Sequence, residues 1–286
     1  MAERWEEVLL EQVNQATAGY PFLEWNARNL SYFPHFHEEI EVVYAARGTA
    51  TVVGGSGAQR LEEGEMYLLM PFEIHGVSSP PGSVTYILKL LPHRELPGVD
   101  FSSLRLEKSC FSPKAPLYQL LRSQLLSIRQ EDLERREGYA LAVLCHAAQL
   151  ELLVLRDCLR RSVPLSQQNR QAQDVAFLRQ VESFLEAHFS QRLTLDQASR
   201  ACCLSRYYFA HTMKRVTGMS FVEYLTVFRL EKACRMFCQP RPNMLQIALS
   251  CGFHDQKDFC RAFKRRYAMT PTQYRKSLSE PVSTGG

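Results

Sequence analysis

The sequence predicts a multidomain α+β protein. An N-terminal antiparallel β-barrel is followed by linker helices and then by an all-α C-terminal domain with two helix-turn-helix motifs. Three observations predict this. The first third is rich in β-branched and aromatic residues punctuated by glycine and proline. From about Pro116 leucines recur three and four residues apart, the helical period. In the last third a set of residues recurs about 50 positions later. A chain of 286 residues with 45% apolar content can bury a core in each of two domains.

The stretch "MAERWEEVLLEQ" is acidic and amphipathic, and it lacks the layout of a signal peptide. "EVVYAARGTATVVGG", "QRLEEGEMYLLMP" and "SVTYILKLLP" read as strands of a small barrel or sandwich over residues 20–95. A long helix is expected from Glu137 to Arg161. Its leucines 141, 144, 152 and 155 form a stripe that packs on the barrel or pairs with a second subunit, so a homodimer is expected. His146, Gln149 and Glu151 interrupt its apolar run, which argues against a membrane span. The polar segment Ser162–Gln173 reads as a linker. The expected domains are residues 1–100, a helical region 101–165, and residues 172–280. Nine cysteines without a CxxC pair favour reduced thiols and a cytoplasmic location.

Charge is uneven. Residues 171–286 carry 17 Lys/Arg against 9 Asp/Glu, whereas residues 1–170 carry 17 against 21. A basic C-terminal part suggests a polyanionic partner for that part alone. Within it Phe209 matches Phe259, Lys214 matches Lys264, Arg215 matches Arg265, Met219 matches Met269 and Tyr224 matches Tyr274. Leu195 with Leu245 and Ala198 with Ala248 fit the same offset of 50. Each unit reads as a short helix, a turn and a second helix capped by Ser205 or Asp255. Such a second helix can enter a DNA major groove. The helical period turns Arg206, Tyr207, Ala210, His211 and Lys214 outward in the first unit, and Gln256, Lys257, Cys260, Arg261 and Lys264 in the second. Arg, Lys and Gln suit base edges; Lys214, Arg215, Lys264, Arg265 and Arg266 suit phosphates. Ser220–Phe237 reads as one connecting helix of roughly 26 Å.

"HFHEEIEVVYAARG" places His35, His37, Glu39 and Glu41 on one face of a strand. With His75 of "MPFEIHG" these groups can hold a divalent metal, hydrogen-bond a ligand's hydroxyls, or satisfy one another. No catalytic residue is assigned, and an enzyme is not expected.

At "QIALSCGFHDQKDFCRAFKRRYAMTPTQYR" and through Asp174–Lys276 the sequence resembles the AraC-type family of bacterial transcription regulators. The resemblance implies binding to double-stranded promoter DNA through two helix-turn-helix units, control by a small-molecule effector, and contact with RNA polymerase if the protein activates. The N-terminal part resembles a cupin-type sensor, with Phe72 where that pattern usually has glycine. The resemblance makes a sugar or sugar derivative the expected effector. It places the pocket at His35, His37, Glu41 and His75. By residue type Trp25 offers either a stacking face or a core residue, and Arg28 and Arg47 are candidate partners for a carboxylate, which would favour a sugar acid. A bound divalent metal, in a sensor or a cupin enzyme, is the alternative.

Overall fold

Strand β2 (Ile40–Arg47) is buried along most of its length because both its faces are covered. The structure, a computed structural model, describes residues 20–27, 30, 32–54, 57–92, 104–160, 165–237 and 242–279. Arg28 and the acidic N-terminal stretch lie outside the described residues. The chain divides into two units, Met1–Val175 and Ala176–Gly286.

In the first unit β1 (Phe22–Ala27), β7 (Val84–Leu90), β2, β5 (Met66–Leu69) and β9 (Cys110–Phe111) form an antiparallel sheet in the order β1-β7-β2-β5-β9. A second sheet has the order β4-β3-β6, from β3 (Ala50–Gly54), β4 (Gly57–Leu61) and β6 (His75–Ser78). Alternation assigns the faces. Val43, Ala45, Leu69 and Ile87 of the first sheet meet Ala50, Val52, Leu61 and Val77 of the second in one core. Ile40, Val42, Tyr44, Leu68 and Leu88 point the other way, against helices.

The expected barrel is therefore not closed: among the described residues no ladder joins the two sheets, which pack as a sandwich. The register break in β2 between Ala45 and Arg47, followed by Gly48 at φ 71°, carries the chain from one sheet to the other.

Helices α1 (Tyr118–Glu134) and α2 (Tyr139–Leu153) cover the outer face of the larger sheet. Tyr118, Leu121, Leu125 and Ile128 of α1, and Val143, Ala147 and Leu150 of α2, are buried there. His146 sits 2.8 Å from Gln124 and ties the helices together. The helix is shorter than the expected Glu137–Arg161. It passes into a wider turn at Val154–Cys158 and then β10 (Leu159–Arg160), which pairs with β8 (Arg105–Leu106).

The stripe splits accordingly. Leu155 packs on the sheet's core, whereas Leu141, Leu144 and Leu152 are 68%, 42% and 43% exposed. By length and composition alone, Tyr139–Cys158 is long and apolar enough to cross a membrane. One face of it is already engaged by the sheet. The expected linker is helical from Leu165, inside α3 (Leu165–His188).

The second unit continues with α4 (Leu195–Ala201), α5 (Arg206–Thr217), α6 (Phe221–Phe237), α7 (Met244–Ser250), α8 (Gln256–Tyr267) and α9 (Pro271–Ser279). Each short helix begins with a reciprocal capping box, Thr194 with Gln197 and Asn243 with Gln246. Similar boxes open α6 (Ser220 with Glu223) and α9 (Thr270 with Gln273).

These caps correct the repeat. The boxes at Thr194 and Asn243 match at an offset of 49, as do the left-handed residues Cys203 and Gly252. The caps Ser205 and Asp255 match at 50. Leu204 N bonds Ser199 O and Phe253 N bonds Ala248 O, so one extra residue, His254, enters the second turn. Leu195 and Ala198 are thus not the equivalents of Leu245 and Ala248, although the identities from Phe209 onward stand.

Candidate functional site

Two sites emerge, one in each unit. In the second unit, α5 and α8 start from side-chain caps: Ser205 Oγ accepts from Tyr208 N at 3.3 Å, and Asp255 Oδ1 accepts from Asp258 N at 2.7 Å. The inner face of α5 is Phe209, Thr212 and Met213; that of α8 is Phe259 and Phe263. Phe209 stacks edge-on against Phe177 and Phe221, while Phe259 and Phe263 join Phe237 and Tyr274. These aromatic anchors fix which side of each helix faces outward.

Arg206, Tyr207, His211 and Lys214 are exposed on α5, as are Gln256, Lys257, Arg261 and Lys264 on α8. Ala210 and Cys260 sit at the flank of their helices, half-buried. Cys260 packs against the aromatic core, and burial pushes its thiol up. The rings of Tyr207 and His211 lie nearly parallel, with centroids 6.4 Å apart. Arg206 lies 3.5 Å from Asp196 and Arg261 lies 2.8 Å from Asp258. Exposed pairs of this kind are weak and yield readily to a phosphate or base edge. Arg266, one of the residues suited to phosphate, is half-buried near Glu231, which separates it from Lys264 and Arg265.

In the first unit the structure brings His35, His37, Glu41 and His75 together, with one ligand-type atom from each within 4.8 Å of the others. His35 and His75 form a two-bond backbone bridge, each N–H donating to the other's carbonyl at 2.9 Å. Gly76 permits it: a Cβ there would stand 2.9 Å from Tyr32 O. The rings of His35 and His75 lie 4.6 Å apart.

A carbonyl only accepts, so His35 Nδ1, 2.9 Å from Phe33 O, and His75 Nδ1, 2.8 Å from Glu73 O, carry protons. When neutral, each ring keeps its Nε2 lone pair. His75 is 1% exposed, and its Nε2 has no hydrogen-bond partner.

Glu41 Oε2 gathers His37 Nε2 at 2.7 Å, Lys89 Nζ at 3.2 Å and His75 Nε2 at 3.4 Å. Burial opposes charge on Glu41, but Lys89, His37 and His75 together hold its carboxyl well below the usual range. Burial presses the His35 imidazolium down, aided by His75 and Lys89. Burial also opposes charge on His37, yet its bonds to Glu39 and Glu41 carry its pKa up. Glu24 accepts from Tyr32 Oη at 2.7 Å, and burial raises its pKa.

Phe72 stands at φ 64°, the left-handed region that explains glycine in the pattern it departs from. Its N–H donates to His37 O at 2.8 Å, and its carbonyl accepts from Gln171 Nε2 at 3.0 Å. Burial pushes the neighbouring Glu73 carboxyl up to about 7.

Trp25 and Arg47 lie apart from the cluster. Trp25 is on the helix-covered face, donating to Asp132 Oδ2 at 2.7 Å and meeting Tyr86 edge-on. Arg47 is exposed at the far end of β2, six residues or roughly 20 Å along the strand from Glu41. Sequence reasoning missed Lys89, Glu24 and Tyr32. The alternation Thr85, Ile87, Lys89 in "SVTYILKLLP" carried the signal, because Lys89 pairs directly with Glu41 across β2 and β7.

Three imidazoles and a carboxylate are by type a nitrogen–oxygen donor set for a divalent ion. The arrangement does not fit one as it stands. Glu41 Oε2 is already engaged by His37 Nε2 at 2.7 Å, and the Lys89 ammonium stands 3.2 Å from the same oxygen.

Comparison with known proteins places both units. Residues 21–151 match the family described as AraC-like ligand binding domain, and residues 198–277 match the family described as helix-turn-helix domain. The probable transcriptional regulator LumQ of Photobacterium leiognathi is 22% identical over 84% of this chain and 90% of its own length. The transposon Tn10 TetD protein of Escherichia coli is 31% identical over 35% of this chain and 72% of its own. With two further curated relatives the match spans 45% and 28% of their lengths. Among solved structures, an apo variant of ToxT from Vibrio cholerae superposes over 91% of this chain and 98% of its own, with TM-score 0.52 and 10% identity, a likeness of fold.

Proposed function

Because this chain belongs to the AraC-type family of DNA-binding transcriptional regulators with an N-terminal ligand-binding domain, we propose that it binds promoter DNA under the control of a sugar or sugar derivative. The observation that carries the DNA half is the duplication: two helices, each capped at its start, present Arg206, Tyr207 and His211 or Gln256, Lys257 and Arg261 outward from an aromatic core. The N-terminal half of each helix reads base edges. Lys214, Arg215, Lys264 and Arg265 hold phosphates and set the register.

The observation that carries the effector half is His75 Nε2, a buried ring nitrogen without a hydrogen-bond partner, 3.4 Å from the Glu41 carboxylate. A ligand hydroxyl, which can donate or accept, satisfies it, and His37, Glu39 and Lys89 stand at the more accessible edge to meet further hydroxyls. A bound divalent metal, in a sensor or a cupin enzyme, is the competing reading. The same orphan Nε2 favours it and Lys89 opposes it. The chain acts in the cytoplasm as a homodimer through Leu141, Leu144 and Leu152, and it engages RNA polymerase where it activates.

The test is a thermal-shift screen of sugars and sugar acids on the full chain, paired with gel shifts on the DNA upstream of its own gene. A ligand that binds the native state raises the melting temperature. A sugar that raises it and changes DNA affinity supports the reading. No shift from any carbohydrate removes the sugar and leaves the DNA-binding half standing.

A further inference from the structure

We infer that Lys89 sets the ligand class of the buried cluster: its ammonium is the site's resident cation, reserving the three imidazoles and Glu41 for a hydroxylated organic ligand and against a divalent metal. The inference rests on reading the cluster as an effector site.

The geometry argues it in three steps. The ladder fixes the Lys89 backbone opposite Glu41, since their Cα atoms pair across β7 and β2, and alternation with Val43 and Ile87 turns both residues into the sandwich. Its Nζ lies 3.2 Å from Glu41 Oε2, the same atom that His37 Nε2 reaches at 2.7 Å and His75 Nε2 approaches at 3.4 Å. A metal ion on that oxygen would sit about 2.0–2.2 Å from it. By the triangle of these distances, the ion would lie within about 5.4 Å of the ammonium. The carboxylate is 1% exposed, so water screens little of the repulsion between a dication and an ammonium there.

The donor set itself is otherwise ready. His35 and His75 have their Nδ1 protons fixed on backbone carbonyls, the support that metal-bound imidazoles usually have. Besides the hydrogen bond that His37 Nε2 makes to Glu41, the ammonium is what opposes the metal pattern. Removing its charge should convert the cluster into a metal site. A polyol faces no such conflict: Lys89 donates to its oxygens, Glu41 accepts from its hydroxyls, and a hydroxyl can pair with His75 Nε2 in either direction.

The experiment titrates Co2+ into metal-stripped full chain, reading visible d–d absorption and calorimetric stoichiometry for wild type, Lys89→Met, Lys89→Gln and Lys89→Met/His75→Ala. Expected are weak, substoichiometric binding by wild type and one Co2+ bound at least 100-fold more tightly by Lys89→Met and Lys89→Gln. The double variant should lose the gain, which places the ion at the cluster. Tight one-to-one binding by wild type overturns the inference and the metal-free effector reading together. Folded lysine variants, judged by a cooperative melt and retained DNA binding, that show no gain overturn the inference alone. Should neither variant fold, the wild-type titration still decides, because tight binding there contradicts it and weak binding agrees.

Discussion

Gly252 lies directly under the Phe189 carbonyl: a Cβ at position 252 would stand 2.5 Å from that oxygen. Arg229 donates to the same carbonyl through Nε at 2.8 Å and to Gln191 O through Nη2 at 2.7 Å. The second turn, the end of α3 and the connecting helix α6 therefore meet at one point. Gly252 is also left-handed, at φ 80°. Gly252→Ala should cost about 2–4 kcal/mol, from left-handed strain plus displaced backbone. At the equivalent place in the first turn Cys203 is left-handed at φ 55° and exposed. Cys203→Gly should gain about 1 kcal/mol or less, strain relief offset by unfolded-chain entropy. Chemical denaturation of the full chain checks both, and similar effects of the two substitutions would contradict the assignment.

Arg261 and Lys264 should separate base reading from phosphate holding. Arg261→Ala should cost about 1–3 kcal/mol and relax preference at one base position. Lys264→Ala should weaken all sequences alike and reduce the slope of log affinity against log salt by about 1. Competition binding on a library of single-base variants distinguishes them; uniform weakening by Arg261→Ala would count against its place on a base edge.

Glu231 should make the second unit less stable as pH rises. Burial pushes its carboxyl up to about 7, against the pull of Arg235 and Arg266. An unfolded glutamate titrates near about 4.3. Between those values the folded chain holds a proton that the unfolded chain has lost, so stability falls as pH rises through the window. Glu231→Gln should remove this loss and exceed wild type by about 2–4 kcal/mol above pH 7. Melts at pH 5 and pH 8 test it, with parallel pH profiles as the adverse result.

Leu144 and Leu152 stand exposed on α2 while Val143, Ala147 and Leu150 are buried. Replacing both leucines with Glu should leave the fold intact and shift the chain from dimer to monomer in sedimentation. A wild-type monomer at micromolar concentration would contradict the homodimer, and an unmoved dimer in the variant would place subunit contact elsewhere.

The helical unit was the more legible half. Identities such as Phe209 with Phe259 and Tyr224 with the half-buried Tyr274 reflect core anchors, and burial constrains residue type strongly. The register of the first helices was misread because Leu195 and Leu245 share a residue type without sharing a position. The extra residue His254 becomes visible only through the capping boxes and turn bonds. The histidine cluster was legible in part. The expected alternation along one strand did not hold, since β2 begins only at Ile40 and residues 36–39 are irregular; His35, His37 and Glu41 still converge, and the closeness of His75 depends on a bridge that Gly76 allows. Lys89 became significant only once the β2–β7 register was known. Residue type left Trp25 open between a stacking face and the core, and its strand parity turns it toward Asp132 and the helices.

Selection of DNA sites from a random pool by the full chain, followed by affinity measurement across a salt series with and without a stabilising sugar, reaches the central claim most directly. The expected result is a bipartite preferred sequence. Its affinity should fall steeply with salt, and the sugar should change it. Binding that is blind to sequence, or selective binding that no stabilising ligand alters, would contradict the claim of an effector-controlled regulator.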